Sequence, residues 1–392
     1  MKILAITSRV PWPLEKGDKL RAYNQLRELA ANNEIILCAL NDTALHPDAE
    51  KELKKFCREV HVLPLGKAGI FFNLLRGFFS GLPMQVAYFT STSAKRRIDN
   101  IIRRTQPDRI YCQLIRTAEY IRNERNIPCV IDYMDVFSKG VERRLQKVIA
   151  LKRPFFRMEW KRLLRYEEQV FARFSASTII STQDRDLLPV KQKEKIVVVP
   201  NGVDTDFFAP ADANKDYELL FNGNMNYPPN VESAVYIVKR ILPLVWEKNP
   251  GVKLLISGAN PSAEVQALAS ENVTVTGWVD DVRESFARSK MLVAPMQSSI
   301  GLQNKLLEAM AMRLPCITTT LSNNAVKAVP DSQILVADTP EQFAAHIQTL
   351  LDFPEKAERL AENGYRLVHE KFNWKQTCQL LEKVISDAGL VR

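Results

Sequence analysis

Short runs of β-branched and other apolar residues alternate along the chain with longer stretches whose apolar positions recur every three or four residues. In the first half the runs are Lys2–Thr7, Glu34–Leu40, Val60–Pro64, Arg109–Gln113, Pro128–Asp132, Ser177–Ser181 and Ile196–Val199. Between the first two, Leu20, Tyr23, Leu26 and Leu29 step by three, which predicts a helix over 20–31. Residues 200–210 (PNGVDTDFFAP) then combine Pro, Asn-Gly and Asp, the chemistry of turns and linkers. After them the alternation restarts, with runs at Glu218–Phe221, Lys253–Ser257, Val273–Thr276, Met291–Ala294, Cys316–Thr319 and Ile334–Val336. The tail from Phe372 to Ala388 reads as one amphipathic helix.

Apolar strands separated by helices form parallel sheets covered on both faces. The fold class is therefore α/β, with two doubly wound, Rossmann-like halves joined near residue 205. The expected domains are 1–204 and 205–371, with a C-terminal helix over 372–392 that returns to the first domain. Such sheets bind ligands at the carboxyl ends of their strands. Two of them facing one another would hold a ligand in the cleft between.

Composition narrows the partners. With 46% hydrophobic and 25% charged residues, the 392-residue chain is globular and not disordered. Its net charge of +9 averages two unlike halves: 36 basic and 22 acidic residues up to 200, but 18 and 23 after it. The most apolar run, Ile70–Leu82, is interrupted by Arg76 and is too short to span a bilayer. The opening MKILAITSRV turns polar too early for a signal peptide. Six scattered cysteines and four scattered histidines show neither CxxC nor zinc-site spacing, so free thiols, a cytoplasmic location and no metal are expected.

The segment 294–320 (APMQSSIGLQNKLLEAMAMRLPCITTT) reads strand, loop, helix, strand. Ser298, Ser299 and Gly301 form a loop that lets backbone approach a ligand, and the helix opening near Leu302 aims its N–H groups at that loop. A phosphate suits this place. Lys305 lies in the first helical turn, where a cation is disfavoured by the helix dipole unless it serves an anion. Glu308, three residues on, shares its face and could accept both hydroxyls of a ribose. The same spacing also fits a surface Lys/Glu pair.

With these residues in view, nearly the whole chain resembles the retaining nucleotide-sugar enzymes of glycosyltransferase family 4, which have the GT-B fold. The resemblance rests on five motifs in the family's order: PWPLEKGDKLRAYNQLREL (11–29), IVVVPNGVDTDFFAP (196–210), LLFNGNMNYPPNVES (219–233), VTVTGWVDDV (273–282) and GLQNKLLEAMAM (301–312). The third and fifth resemble a branch associated with bacterial exopolysaccharide synthesis. The resemblance implies a ribose contact for Glu308 and diphosphate contacts near Leu302, Gln303, Asn304 and Lys305. It also implies a base-binding loop at Gly277, Trp278 and Val279, and an N-terminal phosphate-closing loop containing Gly17. The Arg and Lys that the family usually sets against the diphosphate after its first C-terminal strand are missing: the segment reads Gly223, Asn224, Met225, with Pro229 and Asn230 further on. Two further departures are Ile300, in place of the first glutamate of the E-x7-E motif, and the missing N-domain histidine, whose nearest counterpart is Asp135. Asp135 equally suits a helix N-cap or loop carboxylate. Gln113 and Arg116 follow a strand end on the acceptor side.

The implied activity is metal-independent, retaining glycosyl transfer. It would run from a nucleoside-diphosphate sugar, a substrate and not a cofactor, to a lipid-linked or oligosaccharide acceptor of bacterial surface polysaccharide. Lys305, Glu308 and Asp135 are the expected catalytic groups. A nucleotide-sugar epimerase of the same fold and a catalytically weak sugar-nucleotide-binding protein are the alternatives. Asp184-Arg185-Asp186 has the form of a metal-binding DxD triplet, but Asp is common where a helix opens.

The excess positive charge has its own pattern. Arg153, Arg157, Lys161 and Arg165 recur every four residues and form one helical ridge, beside an apolar face of Phe156, Trp160, Leu163, Leu164, Val170, Phe171 and Phe174. Upstream, Phe71, Phe72, Phe78 and Phe79 surround Gly77. Together they suggest a peripheral contact with an anionic membrane at the inner face of the plasma membrane. The alternative is that the apolar face packs on its own domain while the ridge is merely solvated. No nucleic-acid-binding module is evident.

Overall fold

The computed structural model describes residues 1–297 and 301–389. Ser298, Ser299 and Ile300 lie outside the described residues. The strands, in chain order, are β1 (Lys2–Thr7), β2 (Glu34–Asn41), β3 (Glu59–Pro64), β4 (Arg109–Gln113), β5 (Cys129–Asp132), β6 (Ala176–Ile179) and β7 (Val197–Val198). They continue with β8 (Tyr217–Asn222), β9 (Leu254–Ser257), β10 (Val273–Val275), β11 (Ser289–Ala294), β12 (Cys316–Thr318) and β13 (Leu335–Val336). They build two sheets, a 7-stranded one ordered β3-β2-β1-β4-β5-β6-β7 and a 6-stranded one ordered β10-β9-β8-β11-β12-β13. Neighbouring strands in both run parallel. Each sheet is of the doubly wound kind expected. Each sheet reverses its strand order once, between β1 and β4 and between β8 and β11, and those crevices are where such sheets take ligands.

The chain divides into two compact units. One is Met1–Pro200 with the helix that begins at Trp374; the other is Asn201–Asn373. The tail forms the single helix expected of it, separated from the helix before it. Helix Pro354–Lys371 ends, Phe372 and Asn373 break the pattern, and a new helix runs Trp374–Asp387. The break has a local cause: the Phe372 carbonyl accepts from Val203 N–H at 2.7 Å, and Asn373 Nδ2 donates to Thr205 Oγ1 at 3.0 Å. The two ends of the second unit are thereby tied side by side.

Strand alternation explains the core of the first unit. Leu4, Ile6, Ile36 and Cys38 belong to one apolar cluster, whereas Ile3, Ala5, Ile35 and Leu37 belong to another on the opposite face. Leu381 and Ile385 of the last helix complete the second cluster. The helix Gly17–Leu29 buries polar side chains as well as apolar ones: Arg21, Asn24 and Gln25 are inside, while Tyr23 is half-buried. Arg21 pairs with Asp132 at the end of β5, Nε to Oδ2 at 2.6 Å, and Tyr111 and Thr178 hydroxyls donate to the same carboxylate at 3.1 Å. All six cysteines are buried free thiols.

Candidate functional site

The carboxyl ends of β8 and β11 gather the polar groups of the second unit. After Leu219, Leu220 and Phe221 have filled the core, β8 ends on Asn222, and Gly223 follows it. Gly223 adopts φ +148°, and a Cβ there would stand 2.7 Å from Asn230 Nδ2 and 3.2 Å from Lys305 Nζ. Gly258, at the end of β9, also has positive φ, and a Cβ on it would fall 1.9 Å from the Gly223 carbonyl. Its N–H donates to Gly277 O at 3.1 Å. The glycines thus let three loops close on one another with backbone exposed to a ligand.

Lys305 and Glu308 lie on the helix Asn304–Ala311, which starts two residues later than the sequence reading placed it. Leu302 packs against the core instead of opening the helix, and Gln303, at the N-cap, directs its carboxamide to Gly301 O at 3.4 Å. Asn304 accepts from Asn201 at 3.2 Å. Lys305 is only 7% exposed; its ammonium donates to Asn230 Oδ1 at 2.9 Å and stands 4.2 Å over the Phe221 ring. Burial pushes that ammonium down to about 7, with the Glu308 carboxylate pulling the other way. Burial likewise pushes the Glu308 carboxyl up to about 7, opposed by Lys305 and by a hydrogen bond from Asn222. Asn222 Oδ1 itself is buried with no partner among the described residues.

The other positions expected to meet a donor spread outward. Trp278 is 65% exposed, its indole N–H directed at Asp280 Oδ1, 3.2 Å away. Gly277 and Val279 flank it half-buried, Gly277 with φ +74°. Asn224 turns its carbonyl to Asn230 Nδ2 at 2.9 Å. Hence Gly223, Asn224, Lys305 and Glu308 come together, while Gly277 joins them through Gly258. Asn222, Asn230 and Phe221 are additions to which motif reading gave no role. An Asn-Gly pair directly after an apolar strand was the available signal.

In the first unit, the crevice between β1 and β4 holds a second polar group. Gly17 is the first residue of a helix and not part of a loop; the following Asp18 pairs with Arg9. Gln113, expected on the acceptor side at a strand end, is buried, and its carboxamide donates to Asp18 O at 3.0 Å. Arg116 lies between two rings, 4.9 Å from Phe89 and 4.8 Å from Phe137. Burial and nearby Arg9 lower its guanidinium to about 10, against the pull of Asp18, Asp42 and Asp135. Asp135 is exposed, and its carboxylate accepts from Val136 N–H at 2.7 Å.

The Asp184 carboxylate accepts from Ser181 Oγ at 2.5 Å within a helix start, which accounts for half of the DxD triplet. Among the described residues no group of three or more His, Cys, Asp or Glu could hold a metal ion. Nor is any helix there long and apolar enough to cross a membrane. The apolar face of helix Arg153–Arg173 is used internally: Leu163 and Val170 are buried in the core, with Phe156, Trp160 and Phe171 packed against it. It is therefore not available to a membrane, unlike the phenylalanines of Lys67–Ser80.

Residues 216–352 match the family described as Glycosyl transferases group 1. The chain is 19% identical to an uncharacterized 44.6 kDa protein in the cps region of Klebsiella pneumoniae, over 97% of this chain and 99% of that one. Among solved structures it is similar to a sucrose-phosphate synthase from Thermosynechococcus elongatus, with TM-score 0.71 and 15% identity over 100% of both chains. It is similar also to Alr3699/HepE of Anabaena in complex with UDP, with TM-score 0.70 and 14% identity over 99% of this chain and 100% of that one.

Proposed function

We propose that this chain, a group 1 glycosyltransferase of the GT-B fold, moves a sugar from a nucleoside-diphosphate donor to a saccharide or lipid-linked acceptor. The reading includes retention at the anomeric carbon, no metal ion and a place in surface polysaccharide assembly. The observation that carries it is Lys305: a buried ammonium under a glycine backbone, at a helix start, beside the crevice of the second sheet. It has three N–H donors and one oxygen acceptor, Asn230 Oδ1, among the described residues. A diphosphate would supply the missing acceptors.

The chemistry follows from charge. As the sugar–phosphate bond breaks, negative charge grows on the β-phosphate and positive charge on the anomeric carbon. Lys305 and the N–H groups at the helix start are fixed before the reaction, so they stabilise that charge without reorganising. They would do the work a metal ion does elsewhere. Glu308, one turn on and oriented by Asn222, would accept the ribose hydroxyls. The similarity to a protein in a cps region supports the polysaccharide setting, and the UDP complex of a structural neighbour supports a uridine donor.

A thermal-shift screen of UDP-, GDP- and dTDP-sugars tests the donor class, since a ligand binding only the folded state raises its stability by mass action. Stabilisation by one nucleotide series, undiminished by EDTA, is expected. Donor-dependent release of nucleoside diphosphate with a polyprenyl-linked or saccharide acceptor then tests transfer. No stabilisation by any nucleotide sugar would remove the proposal.

A further inference from the structure

Helix Lys67–Ser80 is seated on the first unit by one face only. Ile70 and Leu82, just beyond its end, pack against the core, and Gly77 is buried with its Cα so close to Ala87 that a Cβ would overlap that side chain at 2.3 Å. The outward face carries Phe71 (64% exposed), Phe72 (66%), Leu75, Phe78 and Phe79 (79%). The helix has no acidic residue, and Lys67 and Arg76 are exposed on it. A soluble surface rarely leaves so many large apolar side chains contiguous.

The neighbouring element explains what would cover them. From helix Arg153–Arg173, Arg162 donates to the Gly77, Leu82 and Phe78 carbonyls at 3.3, 3.2 and 2.8 Å. It thus satisfies the open C-terminal carbonyls of the apolar helix and fixes it beside the basic ridge. Arg153, Arg157, Lys161 and Arg165 are exposed on that ridge, without ion-pair partners among the described residues, and line one groove. The acid within that run, Glu159, is turned inward to accept the Met84 and Gln85 N–H groups at 2.8 and 3.3 Å. Charge of one sign therefore borders an apolar wedge, a pairing that fits neither an apolar protein groove nor a polyanion alone.

We infer that this surface is a monotopic docking site for an anionic lipid bilayer, with Phe71, Phe72, Phe78 and Phe79 entering the interface and Arg157, Lys161 and Arg165 meeting headgroup phosphates. Arg162 is a positioning residue, since its donors already serve the apolar helix. The inference rests on this surface and not on the donor site, so nucleotide-induced thermal stabilisation reports separately on the two.

Vesicle flotation of the full chain tests it. The protein should float with phosphatidylcholine vesicles containing about a third phosphatidylglycerol, should bind pure phosphatidylcholine far less, and should be released by salt. Arg157→Gln and Lys161→Gln should each lower partitioning roughly fivefold and flatten the salt dependence. Phe72→Ser with Phe79→Ser should abolish flotation while leaving nucleotide stabilisation intact. Arg162→Ala should weaken flotation, keep the salt dependence, and speed amide exchange across 67–80. Absence of flotation at low salt overturns the inference, as does equal binding to neutral vesicles. So does a dimer that Phe72→Ser/Phe79→Ser converts to a monomer while the wild type fails to float.

Discussion

Lys305 concentrates the electrostatic problem of the second unit in one atom. Because burial holds its ammonium near pH 7, much of it is neutral at pH 8 until an anion arrives. A bound diphosphate should draw a proton onto it. Calorimetry of UDP binding at pH 8, in two buffers of different ionisation heat, should show proton uptake that shrinks toward pH 6; equal heats in both buffers would contradict this role. Lys305→Ala should remove the uptake and lower kcat by roughly 10²–10³, the loss typical of one group stabilising developing charge. Stability carries the same signature. Between pH 4.5 and about 7 the folded state retains a proton on Glu308 that the unfolded chain releases, so stability falls as pH rises. From about 7 to 10.5 the unfolded chain holds a proton that folded Lys305 lacks, so stability rises again. Urea midpoints without nucleotide should therefore dip near pH 7, and Lys305→Met should remove the alkaline limb.

Among the elements, the loops after β8 and β9 are held by contacts that tolerate no side chain. Gly258→Ala would drive a Cβ into the Gly223 carbonyl in a backbone region disfavoured for alanine. A loss of at least about 2 kcal/mol in urea unfolding is expected, together with loss of nucleotide stabilisation. The helix Gly17–Leu29 is fastened differently, through the buried Arg21–Asp132 pair. Arg21→Met should cost about 3–5 kcal/mol, because Asp132 is left buried and uncompensated. Adding Asp132→Asn should recover part of it, read from the same denaturation curves. These contrasts show where the sequence was legible. The apolar runs located the strands of both sheets because strand burial is written in local composition. The Arg21 network was not legible, since a charged residue beside Leu20 reads as a solvated face until Asp132, 111 positions away, is brought to it. The helix start at Asn304 was misplaced for a related reason: Leu302 answers to a tertiary contact and not to helix periodicity.

For the molecule as a whole, the net charge of +9 resolves into local tasks. The acidic second half would meet a phosphate with one placed ammonium, and the basic first half sets Arg153, Arg157, Lys161 and Arg165, four of its exposed basic residues, along one helix. The motifs pointed to Lys305 and Glu308, which the fold brings together, but they gave no role to Asn222 and Asn230, which the turn after β8 puts beside them. The interleaving of the two units bears on how the chain is made. Met1–Pro200 emerges first, yet one face of its sheet is completed by Leu381 and Ile385, and Arg109 binds the Ile385 and Ser386 carbonyls at 3.0 Å. During synthesis the second unit can close while the first still lacks the helix that packs against β4, the strand of Tyr111. The earlier-made unit therefore finishes last. A fragment ending at Pro200 should aggregate when expressed alone, and co-expression of a peptide spanning 374–389 should restore part of its solubility.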